Sequence, residues 1–403
     1  ISDQIALLRH RPQSLMKPMT RINRHLALLA LLVTVAACSP EEQAAAGDTE
    51  IDRLAARAAQ VEIIRDDFGV PHVYGKTDAD AVFGMLYAQA EDDFPRIERN
   101  YIWATGRLAE VEGEAAIYSD VRARLYMTID EAKAAYASAP DWLQALCDAY
   151  ADGLNYYLAT HPAVEPALLE RFEPWMPMFF FEGSIGGDIE GIPLEGIAEF
   201  YGDAPVAQAP VSAFAGAQNA SNGFAIAGEL TRSGDAMLLI NPHTSFYFRG
   251  EMHVVSEEGL SAYGAATWGQ FFIYQGFNED TGWMHTSTRV DFKDEFIEDV
   301  SEVDGQLVYR YGDEMRPVES YDVTLKYKDG DGFGERTFTL YRTHHGPVTH
   351  QVDGDWAVTR INWDPVTALS QSYIRTKQAG YDGFRDMMDM RSNSSNNTVY
   401  ADS

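Results

Sequence analysis

The sequence changes character at Ala220-Ser221-Asn222-Gly223-Phe224-Ala225-Ile226, roughly midway along the 403-residue chain. From this point on, short runs rich in β-branched and aromatic residues alternate with glycine and aspartate turns, which is typical of antiparallel strands. The sequence predicts strands at residues 223–228, 236–241, 252–256, 270–276, 294–300, 323–328 and 337–342, and then helices near 370–377 and 381–390.

The part before this stretch is predicted to be mainly helical. Two short strands at 61–64 and 71–74 flank a turn, and apolar residues then recur at helical spacing over 78–107 and 140–159. Helices first and a long strand-rich part afterwards predict an α+β fold with a broad antiparallel sheet system.

Composition excludes several classes of protein. The chain is 46% hydrophobic, so it is expected to fold into a globular core, and its net charge of −30 argues against nucleic acid as a partner. Its two cysteines, Cys38 and Cys147, exclude a disulfide framework and a zinc cluster. Cys147 lies in an apolar helical stretch, so we expect a buried, inert thiol.

The first residues have the pattern of an export signal. Basic residues precede an apolar run at 26–37, which is too short for a permanent membrane helix, and the run ends in Val35-Ala36-Ala37-Cys38. This ending resembles a bacterial lipobox, in which Cys38 would be lipidated. An ordinary signal peptide that contains a cysteine is the alternative. The expected location is the periplasm of a Gram-negative bacterium, with a lipid anchor in the outer membrane as the only membrane contact.

These patterns predict five segments. In chain order they are upstream residues plus a lipoprotein signal peptide (1–38), a flexible tether (39–58), a mostly helical region (59–202), a spacer (203–220) and a strand-rich region (221–403).

Common catalytic signatures are absent from the sequence. It contains no Gly-x-Ser-x-Gly elbow, no His-Glu-x-x-His and no Cys-x-x-Cys. A pair of acidic residues could perform hydrolysis, but the spacing of the many carboxylates singles out no pair.

Four stretches match one enzyme family in order and spacing. The first is residues 65–74 with 87–92 and 106–110, and the second is residues 220–226 with Asn241-Pro242-His243. The third is Gly282-Trp283-Met284-His285-Thr286 with Asp291 and Asp294, and the fourth is residues 396–402. His345-Gly346-Pro347-Val348 is a further landmark. Together they resemble the penicillin acylase family of N-terminal nucleophile hydrolases. The resemblance covers residues 60–160 and 218–403.

The resemblance implies a fold and a maturation route. The expected fold is a four-layer αββα sandwich, incomplete here at the C-terminus because family members extend well past residue 403. The expected precursor cuts itself between Ala220 and Ser221, where the family usually has glycine before the nucleophile, and gives an α/β heterodimer. The expected activity is hydrolysis of an amide bond in a small N-acyl amide.

A terminal serine can supply both nucleophile and base. A serine hydroxyl is a poor nucleophile and needs a base. Cleavage would give Ser221 an α-amino group, whose ordinary pKa of about 7.7–8.0 suits proton transfer near neutral pH. No catalytic histidine or aspartate is then required.

The resemblance also implies roles for other residues. The side-chain amide of Asn397 and the backbone N–H of Ser287 would form the oxyanion hole. His243 would orient Ser221, with a purely structural histidine as the alternative. Asn222 would hold the new amine or simply start the strand.

Catalysis is expected to need no cofactor. Asp291 and Asp294, with the carbonyl of Lys293, match a structural calcium site of the family, and a surface turn is the alternative. Stretches with aromatic residues that would line an acyl pocket, or belong to an ordinary core, are Thr244-Ser245-Phe246-Tyr247-Phe248, Trp175 and Phe179-Phe180-Phe181. Penicillins, acyl-homoserine lactones and acylated peptides remain open as substrates.

Two rival hypotheses stay open. A non-catalytic periplasmic binding lipoprotein on the same scaffold would remain uncut. A conventional hydrolase with an acid pair would not need Ser221.

Overall fold

The computed structural model describes residues 40–179, 189–202, 220–245, 247–288, 291, 293–392 and 396–402. The predicted lipobox at Cys38 and residues 203–219 of the predicted spacer lie outside the described residues. For residues 40–48 and Ala220, only the backbone is described.

The described chain contains nine α-helices and several short 3-10 turns. The α-helices are α1 Pro40–Ala58, α2 Asp78–Ala104, α3 Ala109–Glu112, α4 Ile117–Tyr126, α5 Ile129–Ser138, α6 Asp141–Thr160, α7 Leu194–Tyr201, α8 Pro365–Arg375 and α9 Gly380–Met388. Within the described residues, none of these helices has both the length and the apolar character needed to span a bilayer.

Seventeen strands are present among the described residues. They are β1 Val61–Arg65, β2 Pro71–Gly75, β3 Ala220–Ile226, β4 Met237–His243, β5 Arg249–Ser256, β6 Ser261–Thr267, β7 Gln275–Phe277, β8 Thr281–Ser287, β9 Lys293–Glu298, β10 Val300–Val303, β11 Gln306–Tyr311, β12 Glu314–Pro317, β13 Glu319–Asp329, β14 Gly332–Thr343, β15 Gly346–Val352, β16 Asp355–Ile361 and β17 Asn396–Asp402. Mixed helices and antiparallel sheets confirm the predicted α+β class. The four-layer arrangement stays a prediction.

The largest sheet combines strands from both halves of the chain. Its order is β1-β2-β5-β6-β7-β8-β17, and β2 runs parallel to β5 whereas the other neighbouring strands are antiparallel. A second sheet has the order β13-β14-β15-β16-β9, a third contains β10, β11 and β12, and β3 pairs with β4 alone. The parallel pair matters because it joins residues before Ser221 to residues after it.

Helix α2 covers the inner face of the large sheet. Thr77 caps it with a reciprocal capping box to Asp80, and the helix kinks where Asp93 leaves helical geometry just before Pro95. Its buried side chains pack against β1, β2 and β5, and α6 packs along its other side. This core holds the large sheet in place beneath the candidate site.

The predicted flexible tether at 39–58 is wrong for most of its length. Residues Pro40–Ala58 form α1, whose last turns bury Leu54 and Ala58 in the core. Arg53 and Arg57 both bind the Asp152 carboxylate on α6, at 2.6 and 2.8 Å. The alanine-rich composition that suggested a tether also favours a helix, and these ion pairs and buried side chains decide between the two.

The predicted strand at 270–276 is mostly wrong. Only Gln275–Phe277 is a strand, and the residues before it form a buried irregular segment. Side chains of α2 satisfy its backbone instead of a neighbouring strand: Gln89 binds the N–H of Gly269 and the carbonyl of Gln270, each at 2.8 Å. The predicted strand at 294–300 is also broken, because Asp299 separates β9 from β10.

Candidate active site

Ser221 lies near the start of the β3–β4 hairpin. Ser221 pairs with Pro242, its neighbour Asn222 pairs with Asn241, and Ala220 pairs with His243. Successive side chains of a strand point to opposite faces, and directly paired residues share a face. Ser221 therefore shares one face of the hairpin with Pro242, and Asn222 shares the other face with Asn241 and His243.

The hairpin packs with one face on strands β8 and β17 of the large sheet. A side chain at Gly223 would clash with Met284 of β8 and Val399 of β17, and one at Gly282 of β8 would press on Leu238. Glycine at these positions lets the two β layers approach closely. Because Ser221 is on the same face as Gly223, it faces β8 and β17 as well.

The register of this packing, continued by two residues, predicts that Ser221 lies over Thr286 and Asn397. Leu238, the strand partner of Ala225, packs on Gly282 of β8, and Gly223 packs on Met284 two residues further along β8. Two residues further in the same direction, Ser221 comes over Thr286, which pairs with Asn397 on β17. By this register, the candidate nucleophile is expected to lie near Asn397, one of the two predicted oxyanion donors.

Asn397 and Ser287 lie at the same end of the β8–β17 pair. The Asn397 side-chain amide donates to Thr286 Oγ1 at 3.3 Å, and its side chain is exposed. Ser287 is the last residue of β8 and pairs with Asn396. Both predicted donors therefore belong to the strand ends beside the start of β3.

His243 lies on the opposite face of the hairpin from Ser221. Its Nε2 atom is 3.0 Å from Asn241 Oδ1 and 3.2 Å from Asn222 Nδ2, and its ring is exposed. The structure brings His243 to Asn222 and not to the Ser221 side chain. A role for His243 in orienting Ser221 stays a prediction, and in this geometry it would act through Asn222.

Comparison with known proteins then identifies the family. A family model described as penicillin amidase matches residues 60–403. The chain belongs to the penicillin amidase family. This confirms the resemblance carried by the four stretches of sequence.

Curated relatives of the chain are acylases of about twice its length. Acyl-homoserine lactone acylase PvdQ of Pseudomonas fluorescens (strain Pf0-1) is 26% identical over 368 residues, which cover 81% of this chain and 46% of that protein. Aculeacin-A acylase of Actinoplanes utahensis is 27% identical over 363 residues, covering 81% and 44%. The chain spans less than half the length of these relatives.

The chain also has a weak similarity to solved structures of penicillin G acylase. A thermostable penicillin G acylase from Alcaligenes faecalis matches with a TM-score of 0.39 and 21% identity, over 45% of this chain and 33% of that chain.

The motif at 282–286 contains a histidine whose burial and protonation state the sequence did not predict. His285 is 2% exposed, and its Nδ1 atom is 3.1 Å from Thr398 Oγ1. Burial, together with the nearby cations Arg375 and Arg249, holds the pKa of His285 well below its ordinary value. A neutral His285 beneath the site suits a structural role. The only signal in the sequence was its place directly after Trp283 and Met284, two large apolar residues that are buried in β8.

The two aspartates of the predicted calcium site are both exposed. Asp294 lies in β9 and pairs with Arg360, and Asp291 precedes this strand. Among the residues described, no group of three or more histidine, cysteine or acidic side chains is close enough to hold a metal ion. Calcium at Asp291 and Asp294 stays a prediction.

The proposed wall residues occupy two separate places. Trp175 packs against Phe179, with ring centroids 6.2 Å apart, and beside the ammonium of Lys133. Phe248 stacks on the guanidinium of Arg249 at 4.7 Å, next to the hairpin. Three further aromatic candidates, Phe180, Phe181 and Phe246, lie outside the described residues.

Cys147 is buried as the sequence predicts. It is 0% exposed, and burial raises the pKa of its thiol far above the ordinary value. The thiol therefore stays protonated and unreactive.

Proposed function

We propose that the full-length protein is an amide-bond hydrolase, with Ser221 as the nucleophile that accepts the acyl group of an N-acyl amide. One observation carries the proposal: Ser221 is the second residue of β3 and lies on the hairpin face that packs on β8 and β17, at the end where Thr286 pairs with Asn397. Membership of the penicillin amidase family supports the same reading.

The proposed maturation is an attack by Ser221 on its own peptide bond. The Ser221 hydroxyl oxygen adds to the carbonyl carbon of Ala220, and the carbon–nitrogen bond breaks as the nitrogen takes up a proton. The resulting ester is hydrolysed by water. The products are a carboxylate at Ala220 and a free α-amine on Ser221.

The proposed turnover uses that amine as the base. As the Ser221 oxygen attacks the substrate carbonyl, its proton passes to the amine, through a water molecule or directly. The protonated amine then gives the proton to the leaving nitrogen, and the amide bond breaks. Water hydrolyses the acyl ester by the same proton route in reverse, which restores the free hydroxyl and amine.

The proposed oxyanion hole uses the donors at the ends of β8 and β17. The tetrahedral intermediate carries negative charge on the former carbonyl oxygen and needs donors aimed at that position. The Asn397 amide is available, because it makes a long 3.3 Å hydrogen bond to Thr286 and is exposed. The Ser287 backbone N–H is the proposed second donor. His243 is proposed to hold Asn222, and Asn222 the new amine.

The proposed substrate is a small N-acyl amide. The relatives are named acyl-homoserine lactone acylase and aculeacin-A acylase, and both names support an acyl donor of this class. A β-lactam side chain, an acyl-homoserine lactone and an acylated peptide are the candidates. The proposed mature form is a heterodimer of the two chains. Calcium at Asp291 and Asp294 and a lipid anchor at Cys38 in the periplasm are further proposals.

The test is a comparison of Ser221 variants of the full-length protein on a panel of chromogenic acyl amides. Ser221→Ala removes the nucleophile, so we expect kcat/KM to fall by at least about a thousandfold. Ser221→Cys retains a nucleophile and a terminal amine, so we expect cleavage with a changed rate. Ser233→Ala, in an exposed turn, is the matched control and should behave as wild type.

Each rival hypothesis predicts a different result. Activity that survives in Ser221→Ala would support a conventional hydrolase and overturn the proposal. An uncut wild-type protein that binds acyl amides without turning them over, with binding intact in Ser221→Ala, would support the binding lipoprotein.

A further inference from the structure

A pair of histidines faces each other where the two halves of the chain meet in the large sheet. The parallel strands β2 and β5 place His72 directly beside His253. The two Nδ1 atoms are 3.1 Å apart, and the ring planes are nearly perpendicular, at 86°. Buried neighbours Val73 and Val254 turn to the opposite, core-facing side of the sheet, so the two rings share the outer face.

The separation of the two nitrogens suits a shared metal ion. With metal–nitrogen bonds of about 2.0–2.1 Å, two nitrogen ligands stand about 2.9 Å apart at a right angle and about 3.3 Å apart at the tetrahedral angle. The observed 3.1 Å lies between these values. Two imidazole nitrogens that converge at this distance, with the rings held by paired strands, are preorganised for chelation.

The surroundings of His72 also fit a metal ligand. The Asp66 carboxylate lies 3.8 Å from His72 Nε2, the ring nitrogen that faces away from His253. The N–H groups of Phe68 and Val70 hold Asp66 in place, each at 2.9 Å. At 3.8 Å this carboxylate is too far for a hydrogen bond, but its negative charge favours a proton on Nε2, which is the tautomer that leaves Nδ1 free to bind a metal.

We propose that His72 and His253 chelate a divalent first-row transition ion such as Zn²⁺ or Ni²⁺ through their Nδ1 atoms. Water completes the coordination, because the His72 side chain is 26% exposed and the pair opens to solvent. Imidazole nitrogens select such ions over Ca²⁺ and Mg²⁺, which prefer oxygen ligands. The site is separate from Ser221 and from the two aspartates of the calcium hypothesis.

A bound ion would join two parts of the chain. His72 precedes Ser221 and His253 follows it, so the chelate would link the two chains of a cut protein. That consequence rests on the proposed function, whereas the metal site itself does not.

The experiment measures metal binding by the full-length protein. The protein is stripped with a chelator, titrated with Zn²⁺ or Ni²⁺ by calorimetry, and analysed for bound metal after desalting. We expect one ion per protein molecule, with a metal-dependent rise in Tm, and we expect both to be lost in His72→Asn and in His253→Asn. Asparagine places an amide near the position of Nδ1, so it keeps a hydrogen-bonding group but provides a poor ligand for these ions.

A second histidine group provides the control. His345 lies beside His344 and contacts the Glu298 carboxylate at 2.8 Å, so it is the nearest competing site by composition. His345→Asn should leave the stoichiometry unchanged. Absence of binding in the wild type, binding that survives His253→Asn, or binding lost only in His345→Asn would each overturn the proposal. The first result would show an ordinary N–H···N hydrogen bond between His72 and His253, and the last would place the ion at His345.

Discussion

At the scale of single residues, Asp120 shows how burial sets the charge of a structural carboxyl. Its two oxygens accept the backbone N–H groups of Leu108 and Ala109, at 2.7 and 2.8 Å, where α3 begins. The side chain is fully buried, and this burial raises the pKa of Asp120 to about 7 against the lowering effect of those two donors. The carboxyl is therefore half-protonated near neutral pH.

This pKa predicts a pH dependence of stability. The pKa of Asp120 is near 3.8 in the unfolded chain and about 7 in the folded chain. The protonated group therefore contributes its full stabilisation below pH 3.8, and this contribution is lost as the pH rises toward 7. Asp120→Asn carries no such proton, so the difference in unfolding free energy between wild type and variant should fall by at most about 1.4 kcal/mol per pH unit. Urea unfolding between these pH values measures it.

The control for this prediction is an exposed carboxyl. Asp130 has a side chain that is 96% exposed, so burial does not act on it and Asp130→Asn should give a much weaker pH dependence than Asp120→Asn. A pH-independent difference for Asp120→Asn would contradict the predicted ionisation.

Single residues also show how far the sequence predicts the site. Four stretches of sequence indicated the family, and that resemblance implied roles for Ser221, Ser287 and Asn397. The pairing of β8 with β17 brings the strand ends that carry Ser287 and Asn397 together. His243 lies on the opposite face of the hairpin from Ser221 because it is one position away from Pro242, the partner of Ser221. That pairing requires the turn between β3 and β4, which sequence patterns do not fix.

At the scale of elements, α2 replaces a strand as the partner of the segment before β7. Gln89 binds the backbone of Gly269 and Gln270, and Asn100 donates to the carbonyl of Trp268 at 2.9 Å. The apolar run that follows suggested a strand, because periodicity cannot distinguish a buried strand from a buried irregular segment. The long hairpin of β13 and β14, by contrast, alternates over eleven pairs and was predictable.

Removal of the Gln89 amide should destabilise the fold. Gln89→Met leaves the Gly269 N–H and the Gln270 carbonyl buried without their partner, which costs about 1–3 kcal/mol for each group. We expect a clearly lower urea midpoint with an unchanged slope. Gln144→Met removes a comparable amide from a less buried position and should shift the midpoint far less. Equal shifts in the two variants would refute the assigned role of Gln89.

At the scale of the whole molecule, the large sheet explains how a cut chain could stay together. Strands β1 and β2 come from the segment before Ser221, and β5 to β8 and β17 come from the segment after it. The parallel pairing of β2 with β5 and the packing of α2 on the sheet hold the two segments without the covalent link at residue 220. Cleavage at that link is therefore compatible with an intact core.

The most direct test of the account is amino-terminal sequencing of the mature full-length protein, separated on a denaturing gel. The account predicts two chains, the second of which begins Ser221-Asn222-Gly223. A mature protein that is still joined between residues 220 and 221, and yet hydrolyses acyl amides, would contradict it.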